Sequence, residues 1–260
     1  MKYTLEPIAL IRTCFPEKFG IPRQSSLCPS ATGELILLPP YNQKDAIEGL
    51  EQVSHLWLSF IFHQHVGRQW KPKVRPPRLG GNKKLGVFAT RSSFRPNNIG
   101  LSVVKLEAIE FRPQQSAKSL VDTQNPQIIL HVSGIDLLDG TPVIDIKPYV
   151  PYVDCVNEAS NLMASTAPPK VSVNFLESVS LFLDKLALRK DKYSAANLKK
   201  LIIEVLQQDP RPAYHEIDFV RVYSILLYSF DVKWRYTNDI NGLPHIDVVA
   251  ITDVVFTNII

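Results

Sequence analysis

About seven short β-favouring runs precede residue 155, and no helical segment between them is long enough to return the chain for parallel pairing. They span residues 3–12, 33–38, 53–62, 85–90, 99–109, 128–135 and 143–147. Parallel neighbours need a crossover of a dozen or more residues, usually a helix, so these runs predict an antiparallel sheet. A sheet of that size carries two exposed edges, and closure into a barrel removes them. Proline supports the same reading. Seventeen of the 20 prolines lie before residue 170, where they stop helices and punctuate turns. The one helical signal inside this region is residues 42–50, with Asn42 as its expected N-cap.

The pattern changes after a linker at residues 157–169. Phe175, Leu176, Val179, Phe182, Leu183 and Leu186 recur at a helical period, which predicts a helix over 175–188. Leu198, Leu201, Ile202, Val205 and Leu206 predict a second over 195–208, with Ser194 as N-cap and Asp209-Pro210-Arg211-Pro212 as its stop. Residues 219–234 and 246–256 read as two strands. The expected fold class is α+β: an N-terminal antiparallel β-barrel of about seven strands in residues 1–156, and a smaller C-terminal α+β domain in residues 170–260.

Several function classes are disfavoured. No apolar run approaches the roughly 18 residues that span a bilayer. The start of the chain lacks a signal-peptide pattern. Cys14, Cys28 and Cys155 are scattered with no CxxC, so neither a zinc site nor a disulfide framework is expected, and a reducing cytoplasm is. GxGxxG, P-loop, HExxH and GxSxG are absent. His63 and His65 would share one face of a strand, but no third ligand is placed beside them. A hydrogen-bonding role is expected for them, and no metal.

Charge is distributed unevenly. Residues 67–106 hold ten Lys/Arg and no Asp or Glu. Removing those ten from the 29 basic residues leaves 19 against 25 acidic ones, so the rest of the chain is net −6 while the whole is +4. A local basic field attracts polyanions. Arg75, Arg78, Arg91 and Arg95 stand near Trp70, Phe88 and Phe94 in this stretch, and Arg211 and Trp234-Arg235-Tyr236 repeat the combination later. Cations with aromatics suit RNA, where phosphates are neutralised and unpaired bases stack. The residues alone leave open an RNA-binding module and an RNA-acting enzyme.

The ordered motifs KFGIPRQ, HLWLSFIFHQ, RPPRLGGN, GVFATRSSFRPNNIGLS, DGTPVIDIKPYVPYVD and QDPRPAY closely resemble the TrmO family of tRNA methyltransferases. The resemblance runs from about residue 7 to 155 and resumes at 208–214 and near 230–236. It implies an S-adenosylmethionine-dependent β-barrel enzyme, a homodimer with the cofactor near the subunit interface. The implied reaction is N6-methylation of threonylcarbamoyladenosine at position 37, in the anticodon loop of threonine tRNA. The implied cofactor-binding residues are Pro22, Arg23, Gln24, His63, Gln64, Arg91, Leu101, Asp139, Gly140, Thr141 and Pro142. Arg75, Arg78, Lys83, Lys84, Arg95 and Arg211 are the expected RNA-binding residues. His63, Asp139 and Asp145 are candidates for a catalytic base. Rival readings are a tRNA-binding module without catalysis and a different RNA-modifying enzyme. The chain departs from the family pattern RSPxRPNPIG at Ser93 and Asn98, which replace prolines, so a looser loop is expected there. The polar stretch 112–127 is expected to be a hairpin tip.

Overall fold

The computed structural model describes residues 3–76, 83–113, 126–167, 169–188, 195–211 and 215–254. Arg78, the Gly80-Gly81-Asn82 turn, the centre of the 112–127 tip, Ser194 and Phe256 lie outside the described residues.

Six strands close a barrel: β1 (Ala9–Thr13), β2 (Thr32–Leu37), β3 (His55–Ile61), β6 (Ile99–Arg112), β7 (Gln127–Ser133) and β8 (Thr141–Pro148). Their order around the barrel is β1-β2-β7-β6-β3-β8, and every neighbouring pair is antiparallel. Closure is made by β1 against β8, with Ala9 opposite Val143 and Ile11 opposite Thr141. Alternation builds the core as the pleat requires. Leu56, Leu58 and Phe60 of β3 are buried, as are Leu35 and Leu37 of β2 and Ile11 of β1.

The barrel has six strands where the sequence suggests about seven. The run at 85–90 does not enter it. Leu85–Gly86 is β5, paired only with β4 (Lys73–Val74) in a separate two-stranded sheet. The chain then tightens into a 3-10 turn at Val87–Ala89. Two further expectations are corrected. His63–His65 is a 3-10 turn, not the end of a strand, so the shared-face argument for those histidines does not apply. The 42–50 segment forms 3-10 turns at Lys44–Ile47 and Leu50–Gln52, with Gln43 at the first N-cap position and no side-chain cap. Asn42 is buried instead and donates to the Pro126 carbonyl at 3.5 Å.

A short helix, α1 (Pro151–Asp154), ends the barrel segment, fixed by Asp154 accepting from the Trp57 indole at 2.9 Å. The second sheet has the order β10-β11-β12-β9. Its strands are β9 (Val173–Phe175), β10 (Tyr223–Leu227), β11 (Phe230–Asn238) and β12 (Pro244–Asp253). Helices α2 (Glu177–Ala187) and α3 (Ala195–Leu206) accompany it, burying Val179, Leu183 and Leu186 of α2 and Leu198, Leu201 and Ile202 of α3. Phe175 therefore belongs to a strand, pairing with Val248. The run 219–234 is a hairpin and not one strand, turning at Tyr228, whose φ is 55°.

One apolar core joins barrel and second sheet. The joint falls on the segment between β1 and β2. Tyr228 N–H donates to the Cys14 carbonyl at 2.9 Å. Ser30 N–H donates to Glu204 at 2.8 Å, and Thr32 and Tyr228 hydroxyls share a 2.8 Å bond. Phe19 stacks on Trp234 with centroids 6.0 Å apart. Gly20 sits directly against Ile225 at a φ of +85°.

Candidate cofactor and substrate site

A cavity of about 710 Å³ opens beside β3 and β6, a size suited to a small-molecule ligand. Five segments far apart in the chain reach it. The β1–β2 loop brings Pro22, Arg23 and Gln24, and the turn after β3 brings His63 and Gln64. The approach to β6 supplies Arg91, β6 itself Leu101, and the start of β8 Thr141. Eight of the residues expected for cofactor are thus in one place.

The remaining three, Asp139, Gly140 and Pro142, are not among the lining residues. Asp139 accepts from Thr13 N–H at 2.8 Å and from Arg12 at 3.3 Å, and Gly140 N–H donates to the Ile11 carbonyl. This turn fastens β8 to β1 and thereby positions Thr141, whose hydroxyl donates to Leu138 at 2.7 Å. Asp145 also lies away from the cavity, half-exposed, capped by its own neighbour's N–H and facing Lys147 at 3.7 Å. Of the three base candidates only His63 lines the cavity.

Local packing fixes the walls. Gly100 is required because a Cβ there would stand 2.3 Å from the Phe60 ring, which is itself part of the lining. Arg91 donates to the Gln24 amide oxygen, tying the β1–β2 loop to the opposite wall. Arg95 donates to the Thr90 carbonyl at 2.8 Å. Lys18, Arg23, Arg91 and Arg95 make the cavity cationic. Burial, and then the Lys18 charge, hold the His63 imidazole below its ordinary 6.5, and His65 is lowered in the same way.

Asp136 is the one carboxylate among the described lining residues. Its Oδ1 is buried and has no hydrogen-bond partner. Burial pushes its carboxyl above the usual range, against the pull of the Ser102 hydroxyl, the N–H groups of Asp136 and Ser25, and the Arg91 charge. Sequence reasoning passed over it as the residue between a strand and a turn. Its partial signal was a carboxylate inside an apolar run, IDLLDG.

Residues 10–155 match the family model described as the tRNA-methyltransferase O N-terminal domain, and residues 168–252 match the TrmO C-terminal domain. This chain belongs to the TrmO family. An Escherichia coli relative named tRNA (adenine(37)-N6)-methyltransferase is 45% identical over 238 residues, 91% of this chain and 94% of its own. A Pseudomonas aeruginosa relative, named as a candidate S-adenosylmethionine-dependent methyltransferase, is 46% identical over 254 residues, 98% of each chain. A crystal structure of TrmO from Pseudomonas aeruginosa superposes with a TM-score of 0.74 at 41% identity, covering 97% of this chain and 99% of that one.

In this TrmO chain the basic flank continues outward from the cavity. Arg75, Lys83 and Lys84 are exposed beside the β4–β5 sheet, and Arg95 lies over the Phe88 ring at 6.0 Å. Phe88 is 74% exposed and Trp70 45%. Burying neither ring in the core leaves both available for stacking. Arg211 is not part of this group. It is mostly buried, paired with Asp209 at 3.1 Å and set over Tyr236 beneath the second sheet. A second depression of about 590 Å³ presents Asp45, Glu48, Glu51 and Glu107 against Lys44 and contains none of the expected residues. Its charge opposes RNA.

The loop at the two TrmO departures is braced, not loose. Asn98 adopts a φ of 51°, a conformation that proline cannot reach. Its side-chain amide donates to the Ser93 carbonyl at 3.0 Å, and the Ser93 hydroxyl meets His65 Nε2 at 3.3 Å.

Proposed function

We propose that this protein uses S-adenosylmethionine to methylate N6 of threonylcarbamoyladenosine at position 37 of threonine tRNA. The observation that carries this reading is the convergence of Pro22–Gln24, His63-Gln64, Arg91, Leu101 and Thr141 on one cationic cavity. The residues suit the cofactor. Arg23 and Arg91 can hold its carboxylate, Gln24 and Gln64 offer amide edges for adenine, and Phe60 and Phe62 offer apolar and π surface. An unsatisfied buried carboxylate oxygen on Asp136 marks a place where the lining itself is incomplete. When bound, the cofactor supplies an electrophilic methyl group.

The chain's own residues do the rest. The cavity walls orient the acceptor nitrogen and exclude water from it. Arg75, Lys83 and Lys84 hold phosphates, while Phe88 and Trp70 stack bases beside the target. Arg78 is assigned the same role from sequence. The barrel segment 1–156 carries the chemistry, and the 170–260 segment supports the β1–β2 loop through Tyr228, Glu204 and Ile225. We place the enzyme in the cytoplasm as a homodimer, with the exposed Leu101 at the cavity rim facing the partner subunit.

Nucleoside mass spectrometry of threonine tRNA after incubation with enzyme and cofactor tests the substrate. The expected product is threonylcarbamoyladenosine heavier by one methyl. An unchanged modified nucleoside alongside methylation elsewhere would refute it. Calorimetric titration with S-adenosylmethionine separates the enzyme from a tRNA-binding module, which would give no heat.

A further inference from the structure

We propose that the Asp136 carboxylate is the proton acceptor for the nitrogen that is methylated. The proposal rests on the methyltransferase reading above. That nitrogen sits in a urea, and its lone pair is delocalised into both the carbonyl and the purine. It becomes a competent nucleophile as its proton leaves. A base must therefore stand in the cavity and away from bulk water.

Three observations select Asp136. It is the only carboxylate among the described residues of the cavity wall. Its Oδ1 is sealed from solvent without a donor, so the anion is under-stabilised and gains by taking a proton. It also sits amid the expected cofactor-binding residues: its carboxyl meets Ser25, which follows Gln24, and Ser102, which follows Leu101, and it feels the charge of Arg91. His63 is the rival in the same cavity. Burial, and then the charge of Lys18, disfavour the cation that it would become after accepting a proton. Asp136 bears the opposite relation to its surroundings, because protonation removes a charge that burial opposes.

The step balances. The nitrogen–hydrogen bond breaks and an oxygen–hydrogen bond forms on Asp136. The nitrogen electron pair forms the new bond to the methyl carbon. The carbon–sulfur bond breaks toward sulfur, which becomes a neutral thioether. The proton passes from Asp136 to water after product leaves. Lys18, Arg23, His63, His65, Arg91 and Arg95 share the cavity and set the field in which Asp136 titrates.

The test compares Asp136→Asn and His63→Asn with wild type in the full-length protein. For Asp136→Asn the turnover number is expected to fall about 100-fold or more, while calorimetric affinity for S-adenosylmethionine stays within threefold. The wild-type rate is expected to rise with pH as a single group ionises, and that rise should vanish in Asp136→Asn yet persist in His63→Asn. Carboxylate ¹³C titration of the free protein, assigned by the Asn variant, should place Asp136 above ordinary aspartates. Retained turnover in Asp136→Asn overturns the proposal. So does a tenfold loss of cofactor affinity, which would make Asp136 a cofactor anchor, or transfer of the pH effect to His63. A wild-type protein that methylates nothing would instead overturn the functional reading itself, and the proposal with it.

Discussion

Replacing Gly20 with alanine should damage both stability and cofactor binding, through one atom. An ideal Cβ on Gly20 lies 1.8 Å from Ile225 Cδ1 and 2.8 Å from its Cγ1. Ile225 is fully buried in β10 and cannot swing into solvent. Moving a packed side chain of this kind costs about 1–3 kcal/mol. The φ of +85° adds roughly 1–2 kcal/mol for a residue with a Cβ. Restricting the unfolded chain returns about 0.4–1 kcal/mol. The net loss is about 1–4.5 kcal/mol, or roughly 2–18 °C in Tm for a chain of this length. Because Pro22 and Arg23 follow within three residues, affinity for S-adenosylmethionine should fall as well. Differential scanning calorimetry and cofactor titration measure the two effects. Ile225→Ala removes the colliding atoms, so the double variant should be at least about 1 kcal/mol better than the sum of the singles. A Gly20→Ala protein melting within 1 °C of wild type, or strictly additive singles, would refute the reasoning.

Arg91→Ala removes both a cavity cation and the tie to Gln24; cofactor affinity should drop at least about tenfold by calorimetry, given the strength of charge-assisted contacts. Asn98→Pro restores a family-typical residue but cannot adopt a φ of 51°; a loss of roughly 2–3 kcal/mol in denaturant unfolding is expected. Alkylation of the native protein should modify Cys155, which is exposed, and spare Cys14 and Cys28. Burial pushes the Cys28 thiol up to about 12 and Cys14 higher still, so peptide mapping after iodoacetamide should find one labelled site. Asp136→Asn should raise Tm at pH 8 more than at pH 4. The folded carboxyl titrates above its unfolded counterpart, so its favourable contribution is full below the unfolded value and is lost as pH rises through the folded one.

Much of the barrel was legible because its strands are β-favouring apolar runs bounded by turn residues. His55–Ile61 buries every second residue, although its sequence, with Trp57 and Ile61 on the less buried face, reads as a continuous apolar run and does not show that alternation. The 85–90 run looked equivalent, yet Val87–Ala89 turns there because Val87 N–H bonds to Pro72, a contact set by tertiary structure. The hairpin at Tyr228 was hidden for a related reason. No Gly or Asn marks the turn, and the left-handed conformation is held by the Cys14 carbonyl. Eight of the eleven residues expected for the cofactor line one cavity, and Asp139, Gly140 and Pro142 do not. Asp136 stood out only in the structure, where it is the one carboxylate among the described residues of that cavity and its Oδ1 is buried without a donor, a placement that local sequence does not encode. Conversely, Asp139 and Asp145 looked reactive because carboxylates draw attention, while the structure occupies both with structural bonds.

The seam between β1 and β8 has a consequence for synthesis on the ribosome. Ala9 pairs with Val143, so one edge of β1 stays open while the intervening chain is translated. At about 5–20 residues per second that interval is on the order of ten seconds. Helix α3 and the β10–β11 hairpin arrive later still, and their Glu204 and Tyr228 add further bonds to the segment between β1 and β2. A nascent chain can therefore close its barrel, and tie Gln24 to Arg91 and Ser26 to Gly134, before Tyr228 and Glu204 add their bonds to the same segment.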